Sequence, residues 1–304
     1  MGRRDSSARA PFSAYRAFGP VVALVVLVLA FGLAIGSFLD IDNLSVVVQQ
    51  SLVTGTLALG QLLIVRAGGI DLANAAVAVL GTLLIAELAL TGTPGVLALL
   101  VGVLAAAAVG AVAGGLVTWP RLPPFVVTFG MLVIVTAVSR IYAQGRTFPV
   151  VDDALGFLGT TKYLLGRVEL TYGMGVLLAL AVGLWFALTR TAWGTGQRVL
   201  SRYVVAGVIY GIAAWQALGR VPIADPNAFQ LGNLDSIVAV VIGGTSPFGG
   251  RVSVLGTVVG ALVVAVLRTG LTQVGVDTLY QDVAIGVLLL AAVAVDRFSQ
   301  GRQR

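Results

Sequence analysis

The chain of 304 residues has no cysteine and no histidine. That excludes disulfides, thiolate nucleophiles, imidazole bases and the common zinc sites. Charge is scarce too: Asp, Glu, Lys and Arg together make 11% of the residues, against about 25% in a soluble domain. The thirteen acidic residues are scattered, so no nucleophile–base pair or metal cluster of an intramembrane enzyme can be picked out. No G-x-x-x-x-G-K-[ST] stretch occurs, so the chain lacks the loop that cradles ATP phosphates. The high calculated pI, about 10.2, reflects basic residues in short loops and at the ends. It reads as topology and not as nucleic-acid binding.

What is abundant is apolar. Residues of that kind make 58% of the chain, which identifies an integral membrane protein. The fold class expected is all-α, a polytopic bundle of about ten segments with broken or re-entrant helices and an internal repeat. Windows of about 20 apolar residues give Pro20–Phe38, Leu44–Val65, Leu72–Leu90, Gly95–Val117, Pro124–Tyr142, Tyr172–Thr189, Arg202–Leu218, Asp235–Gly243, Val252–Thr272 and Leu279–Val295. The eighth is too short to span alone and reads as a half-helix. Residues 1–19 form an N-terminal tail, 20–296 the membrane domain and 297–304 a C-terminal tail. No small-x-small cleavage site follows the first apolar run, so it is read as an anchor. With the N-terminus in the cytoplasm, thirteen basic residues fall inside and six outside. The positive-inside rule is then obeyed with both termini cytoplasmic. Gly, at 39 residues, is about twice as frequent as usual. Four GxxxG pairs fit close helix packing: Gly32/Gly36, Gly110/Gly114, Gly207/Gly211 and Gly256/Gly260.

One stretch organises the rest. Val240–Thr257 reads VVIGGTSPFGGRVSVLGT. Gly243-Gly244, Pro247 and Gly249-Gly250 should break any helix there, and Ser246-Pro247 reads as a cap and first turn of a new one. The pattern recurs at an offset of 175 positions. Val65, Gly68, Gly69, Val77, Val79, Leu80, Gly81 and Thr82 match Val240, Gly243, Gly244, Val252, Val254, Leu255, Gly256 and Thr257, and Asp71 falls opposite Ser246. A helix break repeated in two halves of a membrane chain points to a transport pathway. The alternative reading is a pair of ordinary tight turns copied by duplication. Asp71, Asn74, Thr245 and Ser246 are candidates to line or shape the path, with Phe125, Thr128 and Phe129 behind them. For Asp71 a capping role competes with substrate contact, and for Phe125 and Phe129 plain packing does. The polar loops Ala143–Thr171 and Gly219–Leu234, on the outside in this topology, could dock a partner or serve as solvated connectors.

Four blocks, Ala67–Leu72 (AGGIDL), Leu122–Gly130 (LPPFVVTFG), Thr189–Gly194 (TRTAWG) and Val240–Thr257, resemble the permease subunit of bacterial ribose/xylose/galactose-type sugar ABC importers. The resemblance runs from about Asn43 to Arg297 and extends to permeases for branched-chain amino acids and nucleosides, whose Gly-rich blocks differ. It implies a dimer of permease subunits, identical or closely related, in the bacterial inner membrane, with a monosaccharide path between them. It further implies an ATP-binding cassette subunit inside, which holds the ATP and Mg, and a periplasmic sugar-binding protein outside. No cofactor is expected in this chain. Two departures stand out. After GGIDL the family continues with Ser and Gly, whereas Ala73, Asn74, Ala75 and Ala76 follow here. Between the sixth and seventh segments the family has a longer loop that plugs into the ATPase. Here the connection from Arg190 through Gly194 and Arg198 to Ser201 is several helical turns shorter. A degenerate or structural paralogue, or a permease for another small polar solute, are the alternatives.

Overall fold

The computed structural model describes residues 10–164, 168–196, 198–229, 231–246 and 252–301. Among these it is an all-α bundle with four very short strands. The helices are α1 (Ala10–Ala34), α2 (Ile41–Arg66), α3 (Asn74–Leu90), α4 (Gly95–Thr118), α5 (Pro124–Ala143), α6 (Asp153–Gly156), α7 (Tyr172–Arg190), α8 (Ala192–Thr195), α9 (Val199–Arg220), α10 (Gly232–Ile242), α11 (Val254–Gln273) and α12 (Thr278–Gly301). Each expected segment overlaps one of them. Six (α2, α4, α5, α7, α9 and α11) are long and apolar enough to cross a membrane. Apolar stretches of α1, α3, α10 and α12 are shorter. The chain is a multi-pass membrane protein.

α2 is the axis of the bundle. Of its apolar window 78% is buried, against 22% for α4 and 28% for α5 and α7, which present their outer faces to the surroundings. α9 lies between α2 and α4, and the α4–α9 contact is made by glycine. A Cβ on Gly110 would run into the Tyr203 carbonyl and one on Gly207 into the Ala106 carbonyl. Two of the expected GxxxG pairs, Gly110/Gly114 and Gly207/Gly211, thus face each other. The Gly256/Gly260 pair seats α11 on the backbone of α10 at Gly243 and Ala239. The fourth pair packs no helix. The atoms nearest a Cβ on Gly32 would be those of the Leu39 side chain, and one on Gly36 would meet open space.

The segment between α5 and α7 is folded and not a slack connector. β1 (Phe148–Pro149) pairs antiparallel with β4 (Ile223–Ala224), so the two polar loops are joined. β2 (Thr161–Leu164) pairs with β3 (Val168–Thr171). Asp152 caps α6, accepting from Ala154 N–H at 2.8 Å, and also accepts from Gly95 N–H at the start of α4 at 3.2 Å. Trp215 donates to the Ala154 carbonyl at 3.1 Å.

Candidate functional site

Both glycine doublets end a helix with the same hydrogen bonds. After α2, Ala67, Gly68 and Gly69 N–H donate to the carbonyls of Leu63, Val65 and Ile64. After α10, Gly243, Gly244 and Thr245 N–H donate to Ala239, Val241 and Val240. The left-handed residue is Gly68 in one turn (φ +85°) and Gly244 in the other (φ +82°). The geometric register is therefore one residue longer than the register of sequence identities, which pairs Gly68 with Gly243. A side chain at the left-handed position is strained, so the turn is fixed by whichever glycine of the doublet falls there.

Neither new helix begins where its first polar residue would put it. α3 starts at Asn74, and Asp71 is not its cap. The Asp71 Oδ1 instead accepts from Ala73 N–H at 2.8 Å, and its Oδ2 accepts from the Tyr210 hydroxyl of α9 at 3.0 Å. α11 starts at Val254. Its cap is Ser253, whose hydroxyl accepts from Gly256 N–H at 3.0 Å, and not Ser246. Pro247, Gly249, Gly250 and Arg251 lie outside the described residues. Thr245 is buried and its hydroxyl accepts from Ser253 N–H at 3.0 Å, closing that connection. Ser246 is also buried.

The stretch between α2 and α3 is not helical after Gly69, so its peptide groups need other partners. The Thr128 hydroxyl on α5 donates to the Ile70 carbonyl at 2.7 Å, and the Asn233 Nδ2 on α10 donates to the Leu72 carbonyl at 3.2 Å. Asn74, fully buried, donates to Gln61 Oε1 on α2 at 3.2 Å and to the Ser236 hydroxyl on α10 at 2.7 Å. The Ser236 hydroxyl in turn donates to the Asn233 backbone carbonyl at 2.7 Å. The starts of α3 and α10 are thereby tied together, with an ideal Cβ on Gly232 only 3.3 Å from that of Ala75. Asp71, Asn74, Thr128 and Thr245 all belong to this scaffolding. Phe125 and Phe129 do not. They stack on each other at 6.4 Å on the outer face of α5, with Phe125 58% exposed.

Where α3 and α10 begin, a cavity of about 750 Å³ opens between α3, α5 and residues 226–233. Ala75 and Ala76 line it from α3; Thr136, Ser139 and Arg140 from α5; Phe229 and Asn233 from the start of α10. Among the described residues no acidic side chain lines it. Ser139 is 1% exposed and Asn233 8% exposed, yet Ser139 Oγ and Asn233 Oδ1 have no hydrogen-bond partner among the described residues. Sequence reading misses these residues. Phe229 and Asn233 stand in a loop-like stretch, and Arg140 reads as a topology charge. The legible sign is Asn233 itself, an amide in the first turn of an eleven-residue, largely apolar helix.

At the C-terminal end of α2, beside the first glycine doublet, lies a second buried site. Arg202, 4% exposed, donates to the carbonyls of Arg66 at 3.0 Å, Gly194 at 3.3 Å and Gly196 at 2.8 Å, and its guanidinium lies 6.0 Å from the Trp193 ring centre. The cation meets the negative end of the α2 dipole. Trp193 donates to the Ser201 hydroxyl at 2.9 Å. Of the residues expected to meet an ATPase, Gly194 is buried in this knot, whereas Arg190 and Arg198 are exposed beside it. Arg202 itself is legible as a cation in the first turn of a helix, where the dipole disfavours it and another partner is required.

These features fit known membrane transport proteins. The chain belongs to the family described as branched-chain amino acid transport system / permease component, matching it over residues 43–201. It is 34% identical to the fructose import permease protein of Rhizobium meliloti, across 92% of this chain and 84% of that one. It is 30% identical to the ribose import permease protein of Bacillus subtilis (strain 168), over 92% of both chains. With the D-allose transport system permease protein of Escherichia coli (strain K12) the identity is 29%, over 97% of both. No solved structure matches the chain.

Proposed function

We propose that this chain is the membrane permease subunit of an ATP-driven importer and carries a monosaccharide across the bacterial inner membrane. The observation that carries the reading is the cavity. Its volume suits a small ligand, and it is lined by residues that carry an amide, two hydroxyls, a guanidinium and an aromatic ring, with no carboxylate among the described residues there to receive an ammonium group. An amino acid would leave its ammonium unpaired there, at a cost of several kcal/mol or about that order; a neutral polyol would not. The names of the relatives point the same way, each a sugar permease although the family description speaks of branched-chain amino acids.

In this proposal ten segments cross or enter the membrane and both termini lie in the cytoplasm. The two glycine-doublet turns are copies of one ancestral unit. Asp71, Asn74, Thr128, Thr245 and Ser246 shape the path around the broken helices, and the cavity residues face it. A second permease subunit completes the path. An ATP-binding cassette subunit, holding ATP and Mg, drives transport from inside, and a periplasmic sugar-binding protein delivers the sugar. The short α7–α9 connection, with Arg190, Gly194 and Arg198, meets the ATPase. The alignment with the fructose permease runs over 305 positions yet draws on only 92% of these 304 residues, so that relative has positions with no counterpart here. Shortening of the connection accords with that difference.

The test is uptake. Cells expressing the chain with its neighbouring ATPase and binding protein should accumulate labelled fructose, ribose or allose, and the ATPase should co-purify with the chain. Uptake of none of these, or uptake of leucine in their place, would refute the reading.

A further inference from the structure

We infer that Arg202 is the positioning residue that ties the α7–α9 connection to the first glycine-doublet turn, so that a displacement of α8 reaches the helix break; this rests on the importer function proposed above. Three observations carry it. The first is the reach of one side chain. From the first turn of α9, Arg202 Nη1 donates to the Arg66 carbonyl at 3.0 Å, and Nη2 donates to the carbonyls of Gly194 at 3.3 Å and Gly196 at 2.8 Å. Arg66 is the last residue of α2, where a carbonyl has no donor within its own helix. Gly194 belongs to α8 and Gly196 follows it. One planar cation thus holds carbonyls from two stretches far apart in sequence.

The second observation is how closely the connection is held. The Trp193 ring centre lies 6.0 Å from the Arg202 guanidinium, and Trp193 Nε1 donates to the Ser201 hydroxyl at 2.9 Å. Arg66 Nη2 reaches the same Gly194 carbonyl at 3.4 Å. A Cβ on Gly194 would run into the Leu188 carbonyl, so the turn from α7 into α8 leaves no room for a side chain there. At 4% exposed, Arg202 is an internal strut and not a surface charge.

The third is what α9 touches next. The Tyr203 hydroxyl stands 3.2 Å from an ideal Cβ on Gly69, and the Tyr210 hydroxyl donates to Asp71 at 3.0 Å. Arg66, Gly69 and Asp71 precede, occupy and follow the glycine-doublet turn, so α9 meets the break at all three. Packed side chains and hydrogen-bond networks of this kind carry displacements between sites. A pull on α8 moves the Arg202 fork, and with it the carbonyl that ends α2. A lysine would bring a single ammonium without the fork, and could not hold the same set of carbonyls while lying over the indole.

The test uses the assembled importer, this chain with its ATPase and binding protein, purified and placed in lipid vesicles. Uptake of labelled fructose, ribose or allose and hydrolysis of ATP are measured on the same vesicles. Arg202→Gln should still co-purify with the ATPase and sustain hydrolysis, while uptake falls and the ATP consumed per sugar carried rises about tenfold. Arg202→Lys keeps the cation, which guards assembly, but loses the fork. Its ratio should lie between those of the wild type and Arg202→Gln. A residue that only stabilises the fold would lower the amount of assembled importer and leave the ratio as it was. If the assembled variants keep the wild-type ratio, or if neither assembles with the ATPase, the assignment is wrong and the transport reading stands on the uptake of the wild type. If the wild type imports none of fructose, ribose and allose, both fall together.

Discussion

Asp71 neither caps α3 nor stands in the cavity lining; it bridges the connection before α3 to α9. Both carboxylate oxygens are engaged, one by Ala73 N–H and one by the Tyr210 hydroxyl, and neither faces the cavity lining. Its work is to hold the unwound peptide against α9. Asp71→Ala should strand both donors and lower stability by about 2–5 kcal/mol, seen as an earlier thermal transition in detergent. Asp71→Asn, which keeps an acceptor for Ala73 and a group that can meet Tyr210, should retain most of the uptake. Loss of uptake in Asp71→Asn with unchanged stability would instead make the charge part of the sugar path. The sequence makes Asp71 conspicuous, because a carboxylate after a glycine doublet is rare in an apolar chain. What it does there depends on Tyr210, far away in sequence, and no local pattern reveals that partner.

At the scale of elements, periodicity and glycine spacing carry most of the information. Apolar windows mark the helices because the bilayer requires long uncharged runs. Glycine pairs mark possible close contacts but not which are made. Gly110/Gly114 and Gly207/Gly211 press α4 onto α9, whereas Gly36 faces nothing. Gly207→Leu should therefore force those helices apart and cost about 1–3 kcal/mol or more, read as lower membrane abundance and an earlier thermal transition, while Gly36→Leu should leave both unchanged. The start of α11 is the element least legible in sequence. Ser246-Pro247 is the better local cap, yet Ser253 caps α11. Short α10 is held from its other side by a tertiary device that sequence also hides. Arg268 on α11 makes paired bonds to Asp235 at 2.9 and 2.8 Å and a further one to Asp282 on α12 at 3.1 Å.

For the whole molecule, the account turns on the helix that restarts after the first break, α3, meeting inside the bundle the start of α10, the helix that the second break ends, beside a cavity suited to a neutral sugar. The repeat that draws attention to them is read from identities alone. Their meeting is a fact of the tertiary structure, made by Asn74, Asn233 and Ser236. The most direct measurement uses the closeness of Ala75 and Gly232, whose ideal Cβ positions are 3.3 Å apart, near the span of about 3.5–4.5 Å that a disulfide bridges. Ala75→Cys with Gly232→Cys in this cysteine-free chain should lose both free thiols on mild oxidation. Sugar uptake should stop with that cross-link and return on reduction. Two thiols that stay free under oxidation, or a cross-linked importer that carries sugar at the full rate, would contradict the account.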